Sequence, residues 1–263
     1  MRENRIRKIW KEGGAVVNGW LAIPSSLSAE TMSHQGYDSL TIDQQHGIVD
    51  YSAAVPMLQA ISTTGVVPMT RVPWLDPGYI MKMLDAGAYG IICPMINTRE
   101  QCETLVGACR YAPEGFRSFG PLRALMYAGA DYQPNANKTV LALAMIETKT
   151  AMENLDDILS TPGLDGIYIG PSDLGLSLGG PVKLDQTDPK IFSAIETIFA
   201  ATKRHGVAPG IHCGSPEYAR KMIDMGFQLV TVMSDNTMLA AAAKRMVQIA
   251  RGQETGSGGD GVY

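Results

Sequence analysis

The chain has 263 residues and a formal net charge of −4, with 45% hydrophobic and 18% charged residues. This composition is typical of a globular protein with a sizeable core; it argues against a disordered chain and against a nucleic-acid-binding protein. No apolar run reaches the roughly 18 to 20 residues of a membrane span, and the N-terminal "MRENRIRKIWKEGG" lacks the apolar stretch of a secretory signal. We therefore expect a cytosolic protein without a membrane or polyanionic partner.

The four cysteines carry no signature of a metal site or a disulfide framework. Cys93, Cys102, Cys109 and Cys213 include no CxxC pair, and their spacing fits neither a zinc ribbon nor a small secreted scaffold. We expect reduced thiols, most of which pack as small hydrophobic side chains.

Short apolar segments alternate along the chain with longer segments of helical period, and Gly or Pro marks nearly every junction. Glycine ends several helical segments, as in "DAG", "RHG" and "DMG", which is typical of a left-handed cap before the next strand. The predicted strands are Val16 to Ile23, Ser39 to Asp43, Val66 to Val72, Gly90 to Met95, Val140 to Glu147, Gly166 to Gly170, Val207 to His212 and Leu229 to Ser234.

Near-continuous apolar strands separated by helices indicate a parallel sheet that is covered on both faces. Eight repeats predict an α/β protein, a (β/α)₈ TIM barrel formed as a single domain by residues 1–252, with a tail at residues 253–263. An open, doubly wound sheet is the alternative, but no GxGxxG motif follows the first strand.

One connection, residues 112–138, is longer than an ordinary loop and rich in Pro, Gly, Arg and Asn. Loops of this length are often functional, so the segment is either a substrate lid or an inert excursion. Its Arg117 and Arg123 either meet a distal carboxylate of a substrate or are solvated surface charges.

In a barrel of this kind the active site forms where the strands end. The polar or aromatic residues near those ends are Trp20, Ser25, Ser26, Asp43, His46, Arg71, Glu147, Ser172, Asp173 and His212. We expect these side chains to converge on one mouth of the barrel.

Glu147 and Asp173 lie one strand and one helix apart, which places them on neighbouring strands at the same rim. Two carboxylates in this arrangement suit a hard divalent cation such as Mg²⁺ or Mn²⁺, with water and substrate oxygens completing the coordination. Taken singly, Glu147 also fits a helix cap beside Thr148, and Asp173 fits a turn former in "GPSDLG".

Three further residues carry candidate chemistry. Asp43 and His46 have the spacing at which a carboxylate orients an imidazole and favours a proton acceptor near neutral pH, although both also fit a solvated strand end. Arg71 lies inside an apolar strand, where a guanidinium needs an anionic partner, either a substrate or a barrel carboxylate. No lysine lies in any predicted strand, and the nearest, Lys149, begins a helix, which disfavours Schiff-base chemistry.

Several motifs in this order resemble the HpcH/HpaI aldolase family, the metal-dependent class II pyruvate aldolases such as 4-hydroxy-2-oxoheptane-1,7-dioate aldolase. The similarity extends from about Gly19 to the terminal "GVY". It rests on "IDQQHG", "RVPW", "MLDAGA", "YAPEGFRSFG", "IETKTAMENLDDIL" and "GIYIGPSDLGLSLG". The resemblance implies a TIM barrel of the phosphoenolpyruvate/pyruvate type.

The resemblance also implies roles for residues at the predicted mouth. Glu147 and Asp173 match the family's ligands for Mg²⁺, Mn²⁺ or Co²⁺, on which the carboxylate and carbonyl of pyruvate are chelated. Arg71 matches the arginine that stabilises the enolate, His46 the general base and Asp43 its orienting acid.

Other roles implied by the resemblance concern the substrate pocket and the assembly. Trp20 matches an aromatic residue close to the oxo acid, while Gly170, Pro171, Ser172 and Asp173 match the lining of the pyruvate pocket. Asp85 matches an acid that reaches an active site across a subunit boundary. The resemblance also implies a hexamer built as a trimer of dimers, in which partner subunits exchange the last helix.

Three positions depart from the family pattern. Gln45 stands where the family usually has Glu, and Met145 replaces an amide; the strand period of two predicts that Met145 faces inward, like Glu147. His212 occupies an often apolar position, so it either contacts the hydroxyl or carboxylate of the aldehyde portion or bonds a neighbouring carbonyl.

The leading prediction is reversible aldol cleavage of a 4-hydroxy-2-oxo acid into pyruvate and an aldehyde. One alternative is a carbon–carbon lyase acting on a malyl- or citramalyl-type thioester, although the sequence shows no obvious basic cluster for coenzyme A phosphates. The other is a barrel that binds an oxo acid without turnover, an alternative that rests on Gln45 and Met145.

Overall fold

The computed structural model describes residues 1–253, and their eight strands close into one parallel barrel in the order of the sequence. The predicted (β/α)₈ fold is confirmed, and every predicted strand overlaps an observed one. The strands are β1 Val16–Leu21, β2 Ser39–Asp43, β3 Val67–Arg71, β4 Gly90–Cys93, β5 Leu141–Ile146, β6 Gly166–Ile169, β7 Ala208–Cys213 and β8 Leu229–Ser234. All of the predicted tail except Gln253 lies outside the described residues.

Helices connect the strands and cover the outside of the barrel. Those of the first half are α1 Arg5–Lys11, α2 Ser26–Ser33, α3 Tyr51–Ile61, α4 Pro77–Asp85 and α5 Arg99–Cys109. Those that follow are α6 Leu122–Ala128, α7 Tyr132–Thr139, α8 Lys149–Glu153, α9 Leu155–Leu159, α10 Pro171–Ser177, α11 Pro189–His205, α12 Pro216–Met225 and α13 Asp235–Ala250. Gly206 and Gly226 cap α11 and α12 in the left-handed conformation, as the sequence predicted.

Strand β5 shows how alternation divides the core in two. Leu141, Leu143 and Met145 point into the barrel, in one cluster with the rings of Trp20 and Tyr168. The intervening residues of β5 pack outward against the helices. Met145 therefore faces inward, as predicted from the strand period of two.

The end of the barrel where the strands begin is closed by α1, α6 and α7. Asn4 donates to the carbonyls of Tyr89 and Thr139, which precede β4 and β5. Arg7 and Arg110 both bind the carboxylate of Asp165, each through a nitrogen–oxygen contact of 2.7 Å. These bonds fix the strands at the end opposite to the mouth.

The long segment 112–138 belongs to this closed end, so within this chain it is not a lid over the mouth. It contains α6 and nearly all of α7, whose buried residues join the cluster inside the barrel. Arg117 is buried against Tyr132 and Asp85, and Arg123 donates to the carbonyl of Ala86. The sequence left these arginines as solvated charges or as substrate contacts, but both make internal structural bonds.

The last helix, α13, is attached to the barrel mainly through its first turn. The buried carboxylate of Asp235 accepts hydrogen bonds from the amides of Ala22 and Ile23 and from the hydroxyl of Ser28. Farther along the helix, large apolar side chains are exposed at Leu239, Met246, Val247 and Ile249. Within residues 1–253, no helix combines the length and apolar character that crossing a bilayer requires.

Candidate active site at the carboxyl ends of the strands

Glu147 and Asp173 meet at the mouth because β5 and β6 are neighbouring parallel strands. The register pairs Ile146 with Ile169, so Glu147 emerges beside Gly170. A Cβ at position 170 would lie only 2.3 Å from Oε2 of Glu147 and would displace this carboxylate, whereas glycine leaves it in place. Asp173 follows in the first turn of α10, and it is exposed at the rim.

Glu147 is buried without a cation of its own. Its side chain is 2% exposed, and burial raises its pKa to about 7, an effect that Asp173 reinforces and that the amide of Met95 and the charge of Arg71 oppose. A carboxyl group in this environment is half-protonated near neutral pH. A positive charge between Glu147 and Asp173 would relieve their repulsion.

Arg71 and Asp43 form a buried ion pair across the strands β2 and β3, where the register aligns them directly. Nε of Arg71 donates to Oδ1 of Asp43 at 2.8 Å, and Nη2 donates to Oδ2 at 2.7 Å. The indole of Trp20 donates to Oδ2 at 3.1 Å, and the guanidinium carbon lies 4.8 Å from the centroid of this ring. Burial opposes ionisation of Asp43, but the hydrogen bond and charge of Arg71 hold its pKa below the ordinary value.

Within residues 1–253, Asp43 makes no hydrogen bond to the imidazole of His46, so the predicted contact is not formed. Asp43 instead binds the backbone amides of Gln45 and His46, at 3.1 and 3.3 Å, while His46 itself is exposed. The physical reason is that a buried carboxylate engages the neighbouring guanidinium and indole before a solvated ring. The spacing of Asp43 and His46 therefore reflects a turn that the aspartate caps.

A chain of buried hydrogen bonds ends at His212. Its members are far apart in the sequence, so their spacing did not predict it. Ser39 and Thr41 donate to Oδ1 of Asn18, whose amide donates to Thr231. The hydroxyl of Tyr168 bonds both Oγ1 of Thr231, at 2.6 Å, and Nδ1 of His212, at 2.9 Å.

The direction of this chain determines the proton positions at its end. The amide of Asn18 and the hydroxyl of Tyr168 both donate to Oγ1 of Thr231, so the single proton of Tyr168 is used there and its oxygen accepts from Nδ1 of His212. Burial and the nearby charge of Arg71 lower the pKa of His212 to about 3, so the ring is neutral. The proton of the neutral imidazole then lies on Nδ1, which leaves Nε2 as an acceptor.

Comparison with known proteins agrees with this geometry. The profile of the HpcH/HpaI aldolase/citrate lyase family matches residues 18–242. The chain belongs to this family. It is 44% identical over 248 residues to a hydroxypyruvate/pyruvate aldolase of Rhizorhabdus wittichii, covering 94% of this chain and 99% of the relative.

Two further comparisons cover nearly the whole chain. A 4-hydroxy-2-oxo-heptane-1,7-dioate aldolase of Salmonella dublin is 33% identical over 266 residues, which cover 99% of this chain and all of the relative. The crystal structure of an HpcH/HpaI aldolase/citrate lyase family protein from Burkholderia cenocepacia J2315 superposes with a TM-score of 0.87 at 30% identity, covering 94% and 99% of the two chains. Family membership makes this chain a carbon–carbon lyase of the aldolase type, so the alternative of a barrel without turnover is not supported.

The aldolase's β6–α10 turn contains an unpaired polar atom beside the carboxylates. Oγ of Ser172 is buried and has no hydrogen-bond partner within residues 1–253. The adjoining carbonyl of Pro171 accepts from the amide of Gln186, a fully buried residue that also binds two carbonyls of its own loop. Gln186 therefore holds the turn, while the hydroxyl of Ser172 stays buried and unpaired among the described residues.

Two other predicted positions have a clear placement. Asp85 ends α4 at the closed end of the aldolase barrel and pairs with Arg117 at 2.7 Å. It therefore does not reach the mouth of its own barrel, and a role across a subunit boundary remains a prediction. Gln45, at the position of the missing family glutamate, has a buried Oε1 without a partner among the described residues.

No group of three or more His, Cys, Asp or Glu side chains within residues 1–253 is arranged to hold a metal ion. Glu147 and Asp173 are the two carboxylates that the geometry brings together at the mouth. A cation bound there would need further oxygen ligands from water or substrate, which suits Mg²⁺ and Mn²⁺ better than zinc.

The raised pKa of Glu147 predicts a specific pH dependence in the metal-free aldolase. The folded protein holds this proton more tightly than the unfolded chain does, so the stabilisation is fully present below pH 4.5 and is lost as the pH rises through about 7. In the wild type this loss amounts to about 3 kcal/mol in the free energy of unfolding, and it should be missing in Glu147→Gln. Urea unfolding at several pH values, with a chelator present, measures this change.

The matched control for this measurement is Glu114→Gln, which removes an exposed carboxylate and should retain the wild-type pH dependence. If Glu147→Gln and the wild type lost stability equally over this pH range, the assigned shift would be wrong.

Proposed function

We propose that this protein catalyses reversible aldol cleavage of a 4-hydroxy-2-oxo acid into pyruvate and an aldehyde. The observation that carries the proposal is the cluster of Glu147, Asp173 and Arg71 at the mouth, where Asp173 and Arg71 both act electrostatically on the buried Glu147. The names of the relatives from Rhizorhabdus wittichii and Salmonella dublin support a 2-oxo acid substrate of this class.

Glu147 and Asp173 would hold the divalent cation, Mg²⁺ or Mn²⁺ and also Co²⁺. The raised pKa of Glu147 and the room left by Gly170 support this assignment. When bound, such a cation supplies Lewis-acid polarisation of the carbonyl oxygen at C2.

Arg71 is positioned to bind the negative charge that develops on the oxo acid. Nε and Nη2 are held by Asp43, which leaves Nη1 without a hydrogen-bond partner among the described residues. The pair fixes the guanidinium before substrate binds, so that little reorganisation is needed as the enolate forms. Trp20 packs under the guanidinium and borders the same space.

His46 takes the proton of the C4 hydroxyl in this proposal. As the C3–C4 bond breaks, its electron pair passes to the enolate and the C4 carbon leaves as the aldehyde. Protonation of C3 then gives pyruvate. The exposed position of His46 beside the Asp43 turn supports a base that exchanges protons readily with water.

We further propose that the protein assembles as a homo-oligomer, a trimer of dimers. The large apolar side chains exposed along α13 support contact with another copy of the chain. In such an assembly Asp85 contributes to the active site of a neighbour. The cytosolic location expected from the sequence remains a prediction.

Removal of divalent metal tests the proposed function directly. A lactate dehydrogenase assay should detect pyruvate from 4-hydroxy-2-oxo acids, exhaustive chelation should abolish its release, and added Mg²⁺ or Mn²⁺ should restore it. Full activity after chelation would contradict the proposal. Turnover of acyl-CoA thioesters in place of free 4-hydroxy-2-oxo acids would favour the thioester lyase.

Replacement of Arg71 should separate catalysis from folding. Arg71→Lys keeps a positive charge beside Asp43 but loses the planar guanidinium, so we expect pyruvate release to fall at least about 100-fold. Arg71→Ala should abolish it. Circular dichroism and the unfolding midpoint check that both variants fold, and wild-type turnover in a folded variant would refute the assignment.

The neutral imidazole of His212 should favour aldehydes that carry a hydrogen-bond donor such as a hydroxyl group. His212→Phe preserves an aromatic ring against Trp20 but removes the Nε2 acceptor. We expect KM to rise about tenfold for hydroxylated aldehydes, the value of one hydrogen bond, and to stay unchanged for short apolar aldehydes. Condensation of pyruvate with paired aldehydes measures both, and an equal change for the two classes would contradict this role.

A further inference from the structure

The loop that follows β4 reaches across to Glu147 and binds it through the main chain. The amide of Met95 donates to Oε1 of Glu147 at 2.8 Å. Met95 adopts φ of 57°, a left-handed backbone conformation that is uncommon for a residue with a long side chain. Such a conformation persists only when surrounding bonds impose it.

The bonds that impose it converge on Asn97. Its Nδ2 donates to the carbonyl of Met95 at 3.0 Å, and its Oδ1 accepts from the hydroxyl of Thr148, the residue directly after Glu147. The side chain of Asn97 thus connects both sides of the Glu147 carboxylate. Together the bonds form a closed ring through Met95, Asn97, Thr148 and Glu147.

The ring gives the two carboxylate oxygens of Glu147 different contacts. Oε1 is occupied by the amide of Met95, whereas Oε2 lies against Gly170, the residue directly before the helix α10 that carries Asp173. Without the ring, Glu147 could rotate about its side-chain torsions and present either oxygen or neither. A fixed ligand binds a cation more tightly than a mobile one, because less rotational freedom is lost on binding.

We propose that Asn97 is a positioning residue for the divalent metal site, which acts by holding the Met95 amide on Oε1 so that Oε2 of Glu147 faces the cation. This inference rests on the proposed role of Glu147 as a metal ligand. Loss of the Asn97 side chain weakens metal binding while both carboxylates remain in place.

Asn154, which lies between α8 and α9, provides a matched control because its side chain bonds the same loop. Its Nδ2 donates to the main-chain carbonyl of Asn97 at 2.8 Å, and it is partly buried like Asn97. Asn154→Ala therefore removes one hydrogen bond from this loop without touching Met95 or Glu147. A general loosening of the loop would affect Asn97→Ala and Asn154→Ala equally.

The test is Mn²⁺ binding to the metal-free full-length protein, measured as the loss of the free Mn²⁺ signal in electron paramagnetic resonance. We expect Glu147→Gln to abolish binding, Asn97→Ala to raise the Kd about 10- to 100-fold, and Asn154→Ala to stay within about twofold of the wild type. Asn97→Asp keeps the acceptor for Thr148 but lacks the donor to Met95. Its added negative charge attracts a cation, so weaker binding in this variant would follow from the lost bond.

The outcomes distinguish the inference from the function on which it rests. If Asn97→Ala binds Mn²⁺ like the wild type, or if Asn154→Ala is impaired equally, Asn97 has no positioning role although the metal site stands. If Asn97→Ala does not fold, Asn97→Asp decides, and binding equal to or tighter than the wild type overturns the inference. If the wild type binds no Mn²⁺, or Glu147→Gln binds it equally, the metal site itself is wrong.

Discussion

The burial of Glu147 is the constraint on which the active site depends. A carboxylate is costly to bury, and the repulsion of this one by Asp173 outweighs its attraction to Arg71. The main-chain amide of Met95 and the charge of Arg71 reduce the cost without removing it. The site is therefore left short of one positive charge, which is the condition that favours a bound divalent ion.

The opposite side of the mouth has its charges balanced. Arg71 and Asp43 neutralise each other through two hydrogen bonds. Trp20 contacts both partners, because its indole donates to Asp43 and its ring lies against the guanidinium of Arg71. This balance allows a guanidinium to stay buried and fixed without substrate. One barrel mouth thus combines two acids that no cation pairs among residues 1–253 with a guanidinium that Asp43 already holds in place.

The barrel interior also contributes through hydrogen bonds that run toward the mouth. The chain from Asn18 through Thr231 and Tyr168 ends at His212 and sets its tautomer. A neutral ring beside Arg71 adds no further charge to the site. Gln45, where the resemblance implies a glutamate, leaves a buried amide oxygen just after β2, and this oxygen has no hydrogen-bond partner within residues 1–253.

The sequence by itself determined the barrel, the inward direction of Met145 and the meeting of Glu147 with Asp173, because strand period and the order of parallel strands fix which side chains share a rim. The sequence did not determine which hydrogen-bond and ion-pair partners the polar side chains have. Asp43 lies three residues from His46 but bonds Arg71 from the next strand, and Arg117 lies in a long polar loop but is buried beside Asp85. Only the tertiary structure decided these pairs, together with the ring around Glu147. Charge pairing and hydrogen bonding depend on distances between residues that are remote in sequence, which neither composition nor periodicity records.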